Sequence, residues 1–267
     1  MIVIGEKINS TRKAIQRAVE TKESAVIVAE AVRQAEAGAD YLDVNCGTLP
    51  AQEEPAVLQW LVKVVQQATG LPLCIDSPNP DALAAGLAVH QGEPLINSIS
   101  GESGRFEKVL ELAKQYNARL IALCLDDDGI PSNKDKAIAV GKKLVEDIVA
   151  GGVATDRIYL DPLVKTLATD ANAVHDSLAV IATLGKTFEG LHFVSGLSNV
   201  SYGLPERRHL NRAYVVMSIA AGLDAVIMDP LDPFMKALIF ASEALVGKDR
   251  FCMKYIGAHN EGRLKVA

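Results

Sequence analysis

Basic runs interleaved with aromatic residues are missing from this chain. With a formal net charge of -6, that absence argues against a nucleic-acid footprint. The only basic clusters, RKAIQR and PERRHLNR, are expected to be solvated helical faces, although the second adjoins an unusual loop. Cysteine is sparse. Cys46, Cys74, Cys124 and Cys252 show neither a CxxC pair nor regular spacing, which excludes a disulfide framework and fits a reduced, cytoplasmic setting. His90, His175, His192, His209 and His259 form no HxxxH or HxH pair, so no zinc site is expected, and His192 reads as a satisfied core histidine. No window reaches 18 continuous apolar residues, so no membrane span is expected. The opening MIVIGEKINS has too short an apolar run, and no basic stretch, for a signal peptide. A glycine-rich dinucleotide fingerprint is also absent: GEKINS stands where it would lie, which weighs against an open doubly wound sheet.

What the chain does have is alternation. Its 267 residues are close to the roughly 250 of a single α/β barrel, and 49% hydrophobic content with 22% charge is ordinary for a packed globular fold. Short apolar runs rich in β-branched residues are expected as strands at Ile2 to Ile4, Tyr41 to Val44, Leu73 to Ile75, Leu95 to Ile96, Leu120 to Leu123, Ile158 to Leu160, His192 to Val194 and Ala225 to Ile227. Between them lie helical faces, such as Leu58, Leu61, Val64 and Val65, or Phe106, Val109, Leu110 and Ala113. The longest helix should start near Ser132 and stop at Gly151-Gly152. Eight strands separated by helices, with no linker, predict one (β/α)8 TIM barrel over residues 1–267.

Chemistry in such a barrel belongs to the C-terminal ends of the strands, where the loops converge. Those ends are unusually polar here: Glu6 and Asn9, Asp43 and Asn45, Asp76 and Ser77, Asn97 and Ser98, Asp161, then Ser195, Ser198 and Asn199, and finally Asp229. After the fifth strand, DDDG at residues 126–129 reads instead as a turn before Pro131. Any one of these is an ordinary loop or cap residue; a whole ring of them is harder to dismiss. In LPLCIDS, PLINSIS and IYLDPL the polar residue directly follows an apolar run, so it should be partly buried and in need of a donor. Lys and Arg are scarce there, although Lys7 and Lys165 are conceivable Schiff-base nucleophiles that read more simply as exposed loop residues. A hard cation could supply the positive charge at Asp43, Asp76, Asp161 and Asp229, and spacing alone does not separate that from a shared ligand; no metal is assigned. A flat heterocycle such as a pterin brings an amino group beside a ring N–H, a donor pair that one carboxylate accepts bidentately. Asp161 suits that role, with Asp76 and Asn97 taking further edge atoms.

Seven pieces, IGEKIN (4–9), LDVNCG (42–47), CIDSPN (74–79), INSIS (96–100), YLDPL (159–163), GLSNVS (196–201) and GLDAVIMD (222–229), fall in order along the chain. Together they resemble the methyltetrahydrofolate:corrinoid protein methyltransferases, a branch of the pterin-binding barrels that includes the folate domain of cobalamin-dependent methionine synthase. The resemblance implies that Asp76, Asn97 and Asp161 hold the pterin edge, and that Gly196, Ser198 and Asn199 lie beside N5. It also implies that Arg207 and Ile227 touch the rest of the folate, and that Asn199 donates a hydrogen bond to N5 as its methyl group leaves. Tetrahydrofolate or 5-methyltetrahydrofolate would be the substrate. No histidine here has an Asp two residues before it, as the corrinoid-ligating DxHxxG motif requires, so the corrinoid is expected on a separate partner protein. A homodimer through helices far from the mouth, and a place in anaerobic one-carbon metabolism in either direction of transfer, are implied likewise. Dihydropteroate synthase shares this barrel, but its SRK-like and RxH-like phosphate-binding elements are replaced by SGLSNVS and VIMDP. A folate-binding protein without catalysis is the remaining alternative.

Overall fold

All eight expected strands form. Seven begin at the expected residue and one begins a residue earlier, but every one runs further than its apolar run. In the computed structural model, which describes residues 1–265, they are β1 (Ile2–Asn9), β2 (Tyr41–Asn45), β3 (Leu73–Asp76), β4 (Leu95–Gly101), β5 (Arg119–Asp126), β6 (Ile158–Asp161), β7 (His192–Gly196) and β8 (Ala225–Met228). Each pairs in parallel with the next, and β8 returns to β1, closing the barrel in sequence order. In β2, β3, β4 and β6 the extension takes in the polar residues Asn45, Asp76, Asn97 and Asp161, whereas β8 gains only Met228. An apolar run ends at the first side chain that wants water, whereas the backbone ladder continues until the strands splay.

Alternation along the strands separates two cores. Ile4, Tyr41, Cys74, Leu95, Ile121, Tyr159, Val194 and Ala225 point inward and fill the barrel. Leu42, Val44, Leu73, Ile75, Ile96, Leu120, Ile158 and Leu160 point outward into a larger core beneath the helices. Each fully buried aliphatic side chain contributes about 1.5–3 kcal/mol, which holds the helical ring on the sheet. The inward parity continues upward from Cys74 to Asp76, from Leu95 to Asn97 and from Tyr159 to Asp161, so the same rule that fills the barrel aims these residues at its mouth.

The helices are α1 (Lys13–Glu20), α2 (Ser24–Glu36), α3 (Glu54–Thr69), α4 (Pro80–Leu87), α5 (Phe106–Gln115), α6 (Lys134–Ala150), α7 (Ala173–Thr187), α8 (Arg207–Ala221), α9 (Pro233–Leu245) and α10 (Met253–Asn260). α6 is the longest at 17 residues; Asn133 caps it by accepting from the Lys136 N–H at 3.0 Å. Asn79 and Asp232 cap α4 and α9 in the same way, each followed by a proline at the first helical position. DDDG closes a turn, with the Gly129 N–H donating to the Asp126 carbonyl at 2.8 Å. No helix among the described residues is long and apolar enough to cross a membrane.

Candidate active site

The rim residues of β2, β3 and β4 are joined side by side. Asn45 pairs with Asp76 in register, and its Nδ2 donates to Asp76 Oδ2 at 2.9 Å; Asp76 in turn lies opposite Asn97. Asn97 Nδ2 donates to Asp43 Oδ1 at 3.2 Å, and a cis peptide bond joins Asn97 to Ser98. Asn45 is itself oriented, since its Oδ1 accepts the Gly47 N–H at 3.0 Å. Across the mouth, Asp161 accepts the Leu163 N–H at 2.8 Å and a second backbone N–H from Gly196, which ties the end of β6 to that of β7.

Burial dominates the electrostatics of this rim. It pushes the Asp161 carboxyl up to about 6 against the two backbone donors. Asp76 also rises to about 6, burial outweighing the amide of Asn45 and the positive charge of Arg105. Asp43, enclosed beside Asp76, lies well above the carboxylate range, first through burial and then through its neighbour's charge. These are acceptors with spare lone pairs, which suits an uncharged ring that carries its own N–H groups.

The loop after β7 is a short 3₁₀ turn over Leu197–Ser201. Leu197 and Val200 are buried anchors, leaving Ser198 half-buried and Asn199 exposed. Asn199 Nδ2 lies 3.5 Å from where a Cβ on Gly196 would stand, so its amide folds back over the end of β7. Ser198 Oγ donates toward the Glu6 carboxylate, with oxygens at 3.3 and 3.4 Å. Arg207, the first residue of α8, donates to Ser201 Oγ at 3.1 Å and to the Ser198 carbonyl, and thereby braces the loop. Ile227 packs against the barrel-filling cluster and pairs with Gly196.

A family model described as pterin binding enzyme matches residues 5–229. This chain belongs to the pterin binding enzymes. The methylcorrinoid:tetrahydrofolate methyltransferase of Eubacterium limosum is 38% identical over 266 residues, covering 99% of this chain and 98% of that protein. Methionine synthase of Mycobacterium tuberculosis is 29% identical over 241 residues, which are 85% of this chain and 20% of that protein. Among solved structures, dihydropteroate synthase of Xanthomonas albilineans with 4-aminobenzoic acid superposes with a TM-score of 0.70, over 91% of this chain and 93% of that one, at 20% identity. That of Thermus thermophilus in complex with 6HMPPP gives 0.63 over 92% and 93%, at 21% identity. Likeness at that identity speaks to the fold alone.

Within this pterin binding enzyme, some expected rim residues face elsewhere. Ser77 donates to Glu54 Oε1 at 2.6 Å on the helical side of β3. Ser195 is buried with its Oγ 3.4 Å from the Tyr214 hydroxyl, also outside the barrel. Both sit one residue out of the inward parity. His192 is satisfied, its Nδ1 2.6 Å from Asp224 Oδ2 and its ring stacked on Tyr159. Lys165 pairs with Asp170 at 2.7 Å. PERRHLNR is more than a solvated face, since Arg207 braces the site loop and Arg212 pairs with Asp232 at 2.7 Å.

Cations are less scarce at the rim than the strand ends suggest. Arg105, just before α5, reaches back to donate to the carbonyls of Ser77 at 3.0 Å and Ser98 at 2.9 Å, near Asp76. Lys7 meets Asp229 at 2.5 Å. Arg105 carries no local signal, because it lies outside the strand-end pattern and only the fold brings it in.

Proposed function

We propose that this enzyme moves a methyl group between N5 of tetrahydrofolate and the cobalt of a corrinoid held by a separate protein. The observation that carries the reading is 38% identity, along nearly the whole of both chains, to a methylcorrinoid:tetrahydrofolate methyltransferase. The rim supports it through acceptors for a pterin edge at Asp76, Asn97 and Asp161, beside an uncharged loop at Gly196, Ser198 and Asn199. Arg207 and Ile227 would border the rest of the folate.

The chemistry explains why an amide serves there. When the methyl group leaves for Co(I), the bonding pair stays on N5, which is a poor leaving group unless it is protonated or strongly hydrogen-bonded. Asn199 donates a hydrogen bond that strengthens as the C–N bond breaks, without a fixed positive charge that would oppose protonation of N5. A dihydropteroate synthase would need cationic phosphate-binding elements where SGLSNVS and VIMDP stand. One pterin-binding domain over residues 1–267, assembled as a homodimer in the cytoplasm of an organism with anaerobic one-carbon metabolism, completes the proposal.

The test mixes the chain with 5-methyltetrahydrofolate and free Co(I) cobalamin and follows cobalt absorbance. Enzyme-dependent loss of the Co(I) bands, with tetrahydrofolate formed, is expected. Tight folate binding with no spectral change would replace this reading with that of a folate-binding protein.

A further inference from the structure

One carboxylate at the mouth has no part in gripping the pterin edge. Regular strands send neighbouring side chains to opposite faces. On β1, however, Gly5 pairs with Leu42 and Ile8 with Val44, so three steps on β1 match two on β2. This bulge falls at Glu6 and Lys7 and turns both side chains toward the ends of β7 and β8: Glu6 meets Ser198, and Lys7 meets Asp229. The Gln34 side chain supports it, accepting the Lys7 N–H at 3.1 Å and lying where a Cβ on Gly5 would stand.

The result is a half-buried carboxylate whose hydrogen-bond donor, among the described residues, is a single serine hydroxyl, although a lysine is next to it in sequence. Such a group is expensive to keep ionised. The charges facing it are Lys7 on its own strand, Arg12 beyond the end of β1, Asp229 after β8 and Asp43 on β2, while Arg207, Arg208 and Arg212 line the same cleft of about 340 Å³. Burial, followed by the charge of Asp229, raises the Glu6 carboxyl above its ordinary value.

We infer that Glu6, acting through the Ser198 hydroxyl, is the group that exchanges the proton with N5. The inference rests on the methyl-transfer reading. As methyl passes to Co(I), the C–N5 bond breaks and its pair remains on N5, while cobalt supplies the pair for the new Co–C bond. Glu6 yields its proton to Ser198, and Ser198 yields its own to N5, directly or through water. Glu6 is left as the carboxylate. In the opposite direction the carboxylate takes the proton of N5–H as the methyl group arrives.

The two directions therefore depend on opposite forms of Glu6, which a structural role does not require. At saturating folate, pre-steady-state rates with Co(I) cobalamin and 5-methyltetrahydrofolate should fall as pH rises through the Glu6 titration; rates with methylcobalamin and tetrahydrofolate should fall as pH drops through it. Glu6→Gln should remove both limbs and slow transfer by roughly 10²- to 10⁴-fold, the usual contribution of a general acid or base, with folate affinity unchanged by calorimetry. Glu6→Asp should restore a titrating limb at a shifted pH, and Ser198→Ala should mimic Glu6→Gln without touching β1. Limbs that persist in Glu6→Gln, or slowing matched by lost folate affinity, would overturn the inference while leaving the methyl-transfer reading intact. No transfer by the unaltered chain at any pH would overturn both.

Discussion

Asn199 is exposed and uncharged, and its proposed role as the donor to N5 sets what its removal should do. A donor that matters only as N5 becomes electron-rich stabilises the transition state and not the bound folate. Asn199→Ala is therefore expected to slow methyl transfer by about 100- to 1,000-fold, or roughly 2.7–4 kcal/mol, while calorimetric folate affinity barely changes. Asp161→Asn should do the reverse. In the proposed folate complex it replaces an acceptor with a donor facing ring N–H groups, and loss of a charged hydrogen bond of about 1.5–3 kcal/mol should weaken folate binding by roughly 10- to 100-fold. The same carboxyl ties stability to pH. Its pKa rises to about 6 on folding, so protonation favours the folded chain; that stability is present below the ordinary value and is lost as pH rises through 6. The contribution is on the order of 3 kcal/mol. Urea unfolding of the folate-free protein between pH 4 and 7 should show a downward slope that is shallower in Asp161→Asn. Folate affinity should move oppositely, weakening below pH 6 as the acceptor is protonated.

Helix α6 shows how closely an element must approach the sheet for the rim to hold its shape. A Cβ on Gly141 would lie 2.9 Å from both Cys124 Sγ on β5 and Leu184 Cδ1 on α7. Replacing an interior helical glycine by alanine ordinarily gains about 1 kcal/mol of helix propensity. Overpacking costs roughly 1–3 kcal/mol, so Gly141→Ala should be neutral to destabilising by about 2 kcal/mol in chemical denaturation. Gly257, in α10, has nothing within 4 Å of its would-be Cβ, and Gly257→Ala should stabilise by about 0.5–1 kcal/mol. A similar effect of both changes would mean that α6 packs less tightly than its contacts indicate. Strand starts are legible in the sequence because a β-branched apolar run marks them. Strand ends are not: β4 continues from Ile96 through Asn97 and Ser98 to Gly101, since backbone pairing is indifferent to whether the side chain it carries is apolar. The bulge at Glu6 and Lys7 is equally illegible, because it is a mismatch between two strands and not a property of either one.

Viewed as a whole, the barrel has two unlike ends. The mouth holds the carboxylates and amides; the opposite end holds the Met1 amine paired with Glu243, in a cleft shared with Ala37, Lys254 and Arg263. The apolar side chains Leu245, Phe251, Met253 and Ile256, exposed on and around α10, belong to the region of this second end. A homodimer built there would cover them and leave both mouths open to a corrinoid protein. For the proposed homodimer, Met253→Glu combined with Ile256→Glu is expected to shift the mass in sedimentation velocity from dimer to monomer while methyl transfer to free cobalamin continues. A dimer that survives both changes would locate the interface elsewhere.

The sequence by itself determined the barrel and the identity of most rim residues. A period of two within strands and of 3.6 between them is a local property, and so is a carboxylate placed directly behind an apolar run. Only the tertiary structure decided which polar residues face one another. Ser77 and Ser195 turned outward by one step of parity, Asn45 was set against Asp76, Arg105 was brought from the start of a helix to the rim, and Glu6 was turned toward Ser198, 192 positions away. Closing a sheet into a barrel joins its first strand to its last, and contacts across that seam leave no trace in the spacing of either segment.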